Sequence, residues 1–249
     1  MLDFNLYQWI IASLTAFIIG LTKTAVPGMG ILTVPLAAEI LPVRQSTGFL
    51  HPMLVAADIL AVILYKRNAV WKHLLRLLPF ALAGVGLGYA ALGKLDDETL
   101  KPLIGCIIIV ILAITLYRYI REKKGHEMQV PKGIWFQASM GLFGGFTTMV
   151  SNTGGPIMAL YLLSMRLPKD EYLGTGAWYF FILNSIKIPL SLSLGLITAE
   201  SILTNLALLP LILIGGFCGI VFVKKVTQGV FDILAYSLTF VGALRLLTS

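Results

Sequence analysis

Gly20-Leu-Thr-Lys-Thr-Ala-Val-Pro-Gly-Met-Gly30 and Gly144-Gly-Phe-Thr-Thr-Met-Val-Ser-Asn-Thr-Gly-Gly-Pro156 interrupt two otherwise apolar stretches at matching places in the two halves of the chain. Backbone that leaves the helical pattern at membrane depth carries unsatisfied polar groups. It survives only where protein packs around it or where it lines a wet cavity. A pair of such interruptions, one per half, is a recurrent way of building a substrate site near the bilayer midplane. Reading these two stretches as breaks in buried helices, rather than as surface loops, decides the fold.

The composition places the rest of the chain in a membrane. Of 249 residues, 57% are hydrophobic and 12% charged, and the mean hydropathy is +0.88. Apolar stretches of roughly 15 to 24 residues recur from Leu6 to Leu247, and a helical span needs about 20. The expected fold class is therefore an all-α polytopic membrane protein. Met-Leu-Asp-Phe-Asn at the start lacks the cationic region of a cleaved signal, so the first apolar stretch reads as part of the fold. Cys106 and Cys218 lie far apart inside apolar stretches, where small apolar packing is their expected role.

Helical stretches are expected at about 6–22, 28–41, 45–65, 71–93, 99–120, 134–150, 153–166, 170–190, 202–224 and 228–247. The net charge of +7 is grouped in short loops between spans, which encodes orientation rather than nucleic-acid binding. Placing the 66–76 loop in the cytoplasm fixes every other loop by alternation. That side then collects Lys66, Arg67, Lys72, Arg76, Arg118, Arg121, Lys123, Lys124, Lys132, Arg166, Lys169, Lys224 and Lys225, most of the 19 cations. The N-terminus is then outside, and the 121–133 segment is cytoplasmic. Arg44 and Glu39 fall at the outer interface.

The chain also repeats itself. Leu77-Leu-Pro-Phe-Ala-Leu-Ala-Gly-Val-Gly-Leu-Gly88 aligns with Leu208-Leu-Pro-Leu-Ile-Leu-Ile-Gly-Gly-Phe-Cys-Gly219, identical at six of twelve positions. Upstream, Gly20 and Gly30 fall opposite Gly145 and Gly155, Leu41-Pro42 opposite Leu167-Pro168, and Asp58 opposite Asn184, with the offset drifting only from 125 to 131. Five stretches per copy is an odd number, so the second copy enters the membrane from the opposite side. The expectation is two inverted-topology repeats, 1–120 and 134–249, joined by a cytoplasmic linker over 121–133. Each begins with a broken or half-helix pair.

The stretch following Pro27-Gly-Met-Gly30 runs about 14 residues, roughly 21 Å, which is short of a hydrocarbon core about 30 Å thick. The stretch after Thr153-Gly-Gly-Pro156 is similarly short. Half-helices starting near the midplane would present unpaired N–H groups and the positive ends of their dipoles to a common point. Glycine lets an anion approach the backbone, and proline suits the first helical turn. The substrate-binding candidates are accordingly Lys23, Thr24, Pro27, Gly28, Met29, Gly30, Ser151, Asn152, Thr153, Gly154 and Gly155, with Thr22 as a further donor. The competing reading is close helix packing, which Gly84-x-x-x-Gly88 and Gly215-x-x-x-Gly219 suit best. Lys23 would add attraction for a dianion, or would snorkel if its helix spans fully.

Four further polar residues are coupling or gating candidates. His51 and Asp58 are seven residues apart, on one helix face, and ionisable groups at such depth are costly and usually functional. They suit a proton relay, although Asp58 could equally pair with a cation and His51 could be a satisfied interior histidine. Asn184 replaces the carboxylate in the second copy. Lys187 follows it by one turn near the outer end of its helix, where snorkelling competes with substrate contact.

The ordered series Gly-x-x-Lys-Thr-x-x-Pro-Gly-x-Gly, Leu-Pro-x-Arg, His51-Pro52, Asp58, Tyr65-Lys66-Arg67 with Trp71, and the Leu-Leu-Pro…Gly-x-x-x-Gly stretch resembles the TauE/SafE sulfite exporter family across essentially the whole chain. The resemblance implies a transporter of sulfite, organosulfonates or a related small anion, in the cytoplasmic (inner) membrane, with export as the expected direction. No lysine stands opposite Lys23, so a symmetric cationic pair is not implied. Partners are then the anion and the lipid bilayer, with protons as an optional coupling ion and a homo-oligomer compatible with the sequence. No cofactor or metal motif and no nucleic-acid partner is expected. An anion-selective channel and a non-transporting membrane assembly or sensory component remain the alternatives. An enzyme is not expected, there being no Gly-x-Ser-x-Gly and no His-Glu-x-x-His.

Overall fold

The computed structural model describes residues 1–25, 33–92 and 133–248, together with residues 106, 109–110, 112–113, 116–117 and 120–121. Among them are α1 (Leu6–Thr24), α2 (Thr33–Ile40), α3 (Val43–Tyr65), a 3-10 turn (Lys66–Asn68), α4 (Trp71–Leu92), α5 (Ile134–Ser151), α6 (Gly154–Ser164), α7 (Lys169–Ser193), α8 (Ala199–Lys225) and α9 (Gln228–Thr248), and no strand. Most of the expected stretch at 99–120, and all of Pro27, Gly28, Met29 and Gly30, lie outside the described residues. Four segments, Leu6–Thr24, Gln45–Asn68, Trp71–Leu92 and Ala199–Lys225, are long and apolar enough to cross a membrane. Their outward faces carry exposed Leu75, Leu206, Ile214 and Phe217, the surface that lipid covers in a multi-pass membrane protein.

Local chemistry sets the helix ends. Asn5 and Gln8 open α1 with reciprocal bonds, the Gln8 N–H to Asn5 Oδ1 at 2.9 Å and the Asn5 N–H to Gln8 Oε1 at 3.0 Å, which satisfy two donors that the first turn otherwise leaves unpaired. Thr198 and Ser201 do the same for α8. The second break is narrower than the glycines suggest. Gly144 to Ser151 stay helical, and the chain turns only at Asn152, which is left-handed at φ 56°, a conformation asparagine tolerates better than most residues. Next comes α6, 11 residues long and therefore about 17 Å, which is half a span. In the first half α2 is described over Thr33–Ile40, within the expected 28–41, whose residues 28–32 lie outside the described residues.

Two glycine-mediated interfaces organise the bundle, and each joins one half of the chain to the other. In α1 and α8, a Cβ on Gly20 would meet the Ile212 carbonyl and the Gly216 N–H, and one on Gly215 would meet the Phe17 carbonyl. In α4 and α5, Gly145 sits on the Ala81 carbonyl and Gly84 on the Leu142 carbonyl. Shifting the first interface by the offsets 125 and 131 turns Gly20, Phe17, Ile212 and Gly215 into Gly145, Leu142, Ala81 and Gly84, the residues of the second. Gly88 and Gly219 follow the same rule, against Met149 and Thr24. Packing is thus the role of Gly84, Gly88, Gly215 and Gly219, and of Gly20 and Gly145 as well. Cys106 and Cys218, by contrast, are exposed rather than packed.

Helices α3 and α7 form the centre. Gly48 lies on Leu196, His51 on Ser191, Asp58 on Asn184 and Tyr65 on Gly174. Residue numbers rise along one helix as they fall along the other, so the two are antiparallel.

Candidate functional site

Polar side chains from four helices converge between α3 and α7. From α7, Phe180, Asn184, Lys187 and Ser191 lie four, three and four residues apart, which puts them on one face. On α3, His51 and Asp58 share a face by the same rule. Between them, α1 contributes Lys23 and the end of α5 contributes Asn152.

Asp58 is 0% exposed and holds two partners. Lys23 Nζ stands 2.7 Å from Oδ1, and Asn184 Nδ2 donates to Oδ2 at 2.6 Å. Lys23 also lies over the Phe180 ring, 4.3 Å from its centroid, where the negative face of the ring adds attraction for the ammonium. Lys187 is 1% exposed and donates to the Thr148 carbonyl at 2.6 Å, Asn152 Oδ1 at 2.8 Å and Asn184 Oδ1 at 3.4 Å. Its three hydrogens are therefore all used. Snorkelling is excluded for Lys187, because the chain turn at Asn152 brings acceptors to the ammonium inside the bundle.

One consequence of Lys187 is orientation. With the amide oxygens of Asn152 and Asn184 both turned towards it, both amide NH2 groups must point away. Asn184 offers its own to Asp58, and Asn152 donates to the Thr47 carbonyl at 3.1 Å. His51 is fixed just as tightly, with Nε2 2.9 Å from the Asn184 carbonyl and Nδ1 3.0 Å from Ser191 Oγ. A carbonyl only accepts, so Nε2 carries hydrogen, while the Ser191 hydroxyl can either donate to Nδ1 or accept from it. Asp58 and His51 both dock on Asn184, one on its side chain and one on its backbone, and they make no direct contact.

Beside this cluster is a cavity of about 90 Å³, room for a few water-sized guests. Lys23, Asn152, Asn184 and Gly155 line it together with apolar Leu54 and Phe180. Its floor includes the start of α6, whose first turn has N–H groups without intrahelical partners. No atom lies within 4 Å of a Cβ built on Gly155, so that approach is open. Counting the buried charges, two ammoniums face one carboxylate among the described residues. An apolar-walled site with a surplus positive charge attracts small anions and repels cations.

The other sequence-derived candidates fall nearby with different tasks. Thr22 reaches the cavity wall while donating to the Ile19 carbonyl. Thr24 turns the other way and donates to the Gly216 carbonyl at 2.9 Å, holding α1 to α8. Ser151 and Thr153 bond each other at 2.7 Å and close the turn. Gly154 packs on Thr148 and the Gly144 carbonyl. Residues outside the candidate set also take part: Phe180, Ser191, and the carbonyls of Thr47 and Thr148. The spacing of Phe180 and Ser191 from Asn184 was a readable signal. The carbonyls had none.

A family model described as sulfite exporter TauE/SafE matches residues 12–246 of the chain. No curated protein and no solved structure matches it.

Proposed function

Since the chain belongs to the TauE/SafE sulfite exporter family, a family of membrane anion exporters, we propose that it carries sulfite, an organosulfonate or a related small sulfur oxoanion out across the inner membrane by alternating access around the cavity between α3 and α7. The observation that carries this reading is the surplus ammonium charge beside a small cavity into which Lys23, two amides and the start of α6 all converge. A volume near 90 Å³ suits a small oxoanion.

Two inverted repeats are the frame for this motion. Equivalent positions build the α1–α8 and α4–α5 interfaces, which supports a duplication over 1–120 and 134–249. The equivalent helices α3 and α7 run antiparallel, which supports an axis in the membrane plane rather than along its normal. The half-helix α6 supports the reading of the breaks as substrate-facing ends. Lys23, Asn152, Gly155 and Asn184 are the contact residues in this scheme. Lys187 positions the amides, and the N-terminus lies outside with the 66–76 and 121–133 segments in the cytoplasm.

Uptake into proteoliposomes, compared across sulfite, sulfate, thiosulfate, sulfoacetate and chloride, tests the proposal. Wild type is expected to show saturable flux of at least one sulfur oxoanion. Lys23→Ala should lose about 1–3 kcal/mol of affinity, roughly 5- to 150-fold. Flux that never saturates would point to a channel instead. Gly155→Ala probes the helix end separately. Its new methyl meets open space, so the melting temperature should stay unchanged while half-saturation rises, because the methyl occupies the anion's approach to the α6 N–H groups. Unchanged half-saturation would remove α6 from the site.

A further inference from the structure

The ion pair between Lys23 and Asp58 is arranged in depth. Lys23 lines the cavity and its side chain is 14% exposed, whereas Asp58 lies behind it at 0% exposure. An anion entering the cavity therefore meets an ammonium whose charge is already neutralised from the rear. With Asp58 ionised, Lys23, Asp58 and Lys187 sum to a single positive charge. With a proton on Asp58, they sum to two, the match for a dianion.

The surroundings accept either form of the carboxyl group. Asn184 can offer Asp58 only its NH2, because Lys187 takes its oxygen, and Oδ2 accepts that bond whether Oδ1 is charged or carries hydrogen. Among the helices packed against α3, α1 contributes Lys23 and α7 contributes Lys187 as charged groups facing Asp58. Glu39 of α2 and Glu200, Lys224 and Lys225 of α8 are exposed, and on α3 itself His51 is turned to the Asn184 carbonyl and Ser191. Protonation of Asp58 thus changes the charge offered to the cavity without undoing its hydrogen bond to α7.

We propose that Asp58 is a proton-operated mask on the anion site: ionised, it occupies Lys23; protonated, it frees Lys23 for the anion, so that one proton and one anion bind together. This rests on the transport reading above. The step is a simple protonation, in which a proton from water in the cavity joins Oδ1 and no other bond forms or breaks. By linkage, whatever protonation adds to anion affinity, anion binding adds to proton affinity. The direction follows: the carboxyl binds its proton more tightly in the anion-bound protein than in the empty one. Affinity is therefore highest at low pH, falls about tenfold per pH unit between those two proton affinities, and levels off above them.

The test uses sulfate or an alkyl sulfonate, anions that stay ionised across the range so that their own titration does not enter. Purified full-length protein in weakly buffered detergent is mixed with the anion, and proton uptake is read with a pH dye alongside binding by calorimetry. Wild type is expected to take up close to one proton per anion within the sloping region. Asp58→Asn should bind at the wild-type low-pH affinity with no pH slope and no proton uptake, and Lys23→Met should lose the slope together with most of the affinity. Binding by wild type without proton uptake at any pH overturns the mask while leaving the transport reading intact, whether or not the variants fold. A slope that survives in Asp58→Asn also overturns it. If no sulfur oxoanion binds or moves at all, the transport reading fails and takes this inference with it.

Discussion

A Gly145→Ala substitution is expected to prevent α4 and α5 from docking and to leave little folded protein. The added Cβ would fall on the Ala81 carbonyl, with the backbone carbon of Ala81 2.7 Å away. Backbone cannot rotate aside as a flexible side chain can, so the helices must separate along their length. Overpacking a tight interface costs about 1–3 kcal/mol and sometimes more, and here the contact is with the main chain, at the upper end. Gly20→Ala should behave the same way, because it meets the Ile212 carbonyl in the equivalent α1–α8 interface. Gly86→Ala is the control, on α4 but facing open space, where alanine should be neutral or favourable by about 0.5–1 kcal/mol. Thermal unfolding of the detergent-solubilised variants by fluorescence-detected size exclusion gives the answer. A Gly145→Ala melting temperature equal to that of wild type would show that these helices do not meet as described.

The second large effect is expected for Lys187→Met. Methionine is close in length but donates nothing, so the Thr148 carbonyl and the oxygens of Asn152 and Asn184 lose an ammonium in a buried setting. Hydrogen bonds to a charged group are each worth about 1.5–3 kcal/mol, and leaving buried acceptors unmet adds its own cost. Removing one partner from a buried charged network typically costs about 3–5 kcal/mol. The NH2 groups would still hold the amides to Asp58 and the Thr47 carbonyl, so both amide oxygens would stay turned to a place that no longer holds a donor. The expected outcome is a lower melting temperature and transport at or near background. Lys187→Arg should fold better than Lys187→Met yet still transport poorly, because a planar fork cannot meet three acceptors arranged around a point. Full transport by Lys187→Met would show that its charge has no part in the site.

The gap between the sequence reading and the structure lies in how each lysine is used. Lys23 and Lys187 both stand near helix ends in sequence, where a long apolar stem can carry an ammonium to the interface. Nothing in the spacing told snorkelling from burial. What decided it was the position of acceptors on other helices: Asp58 for Lys23, and the turn at Asn152 for Lys187. Thr24 shows the reverse. It adjoins Lys23 in the chain, yet one residue is a 100° rotation on a helix, and its hydroxyl lands on Gly216 instead of the cavity. The glycines divide along the same line. Gly155 faces space and Gly145 faces a carbonyl, although the sequence presents both as parts of one flexible run.

Membrane class, the positions of the long apolar helices and the family were legible in the chain, because they depend on composition and on order along it. Hydrophobic length and the recurrence of glycine and proline are local properties that survive without a fold. The partners of Lys23, Asp58, Asn184 and Lys187 were decided only in three dimensions, by the antiparallel crossing of α3 and α7 and by the left-handed turn that swings Asn152 beneath Lys187. Charges buried in a medium of low polarity are governed by what stands within a few ångströms of them, and residues more than a hundred positions apart acquire that proximity only when the helices pack.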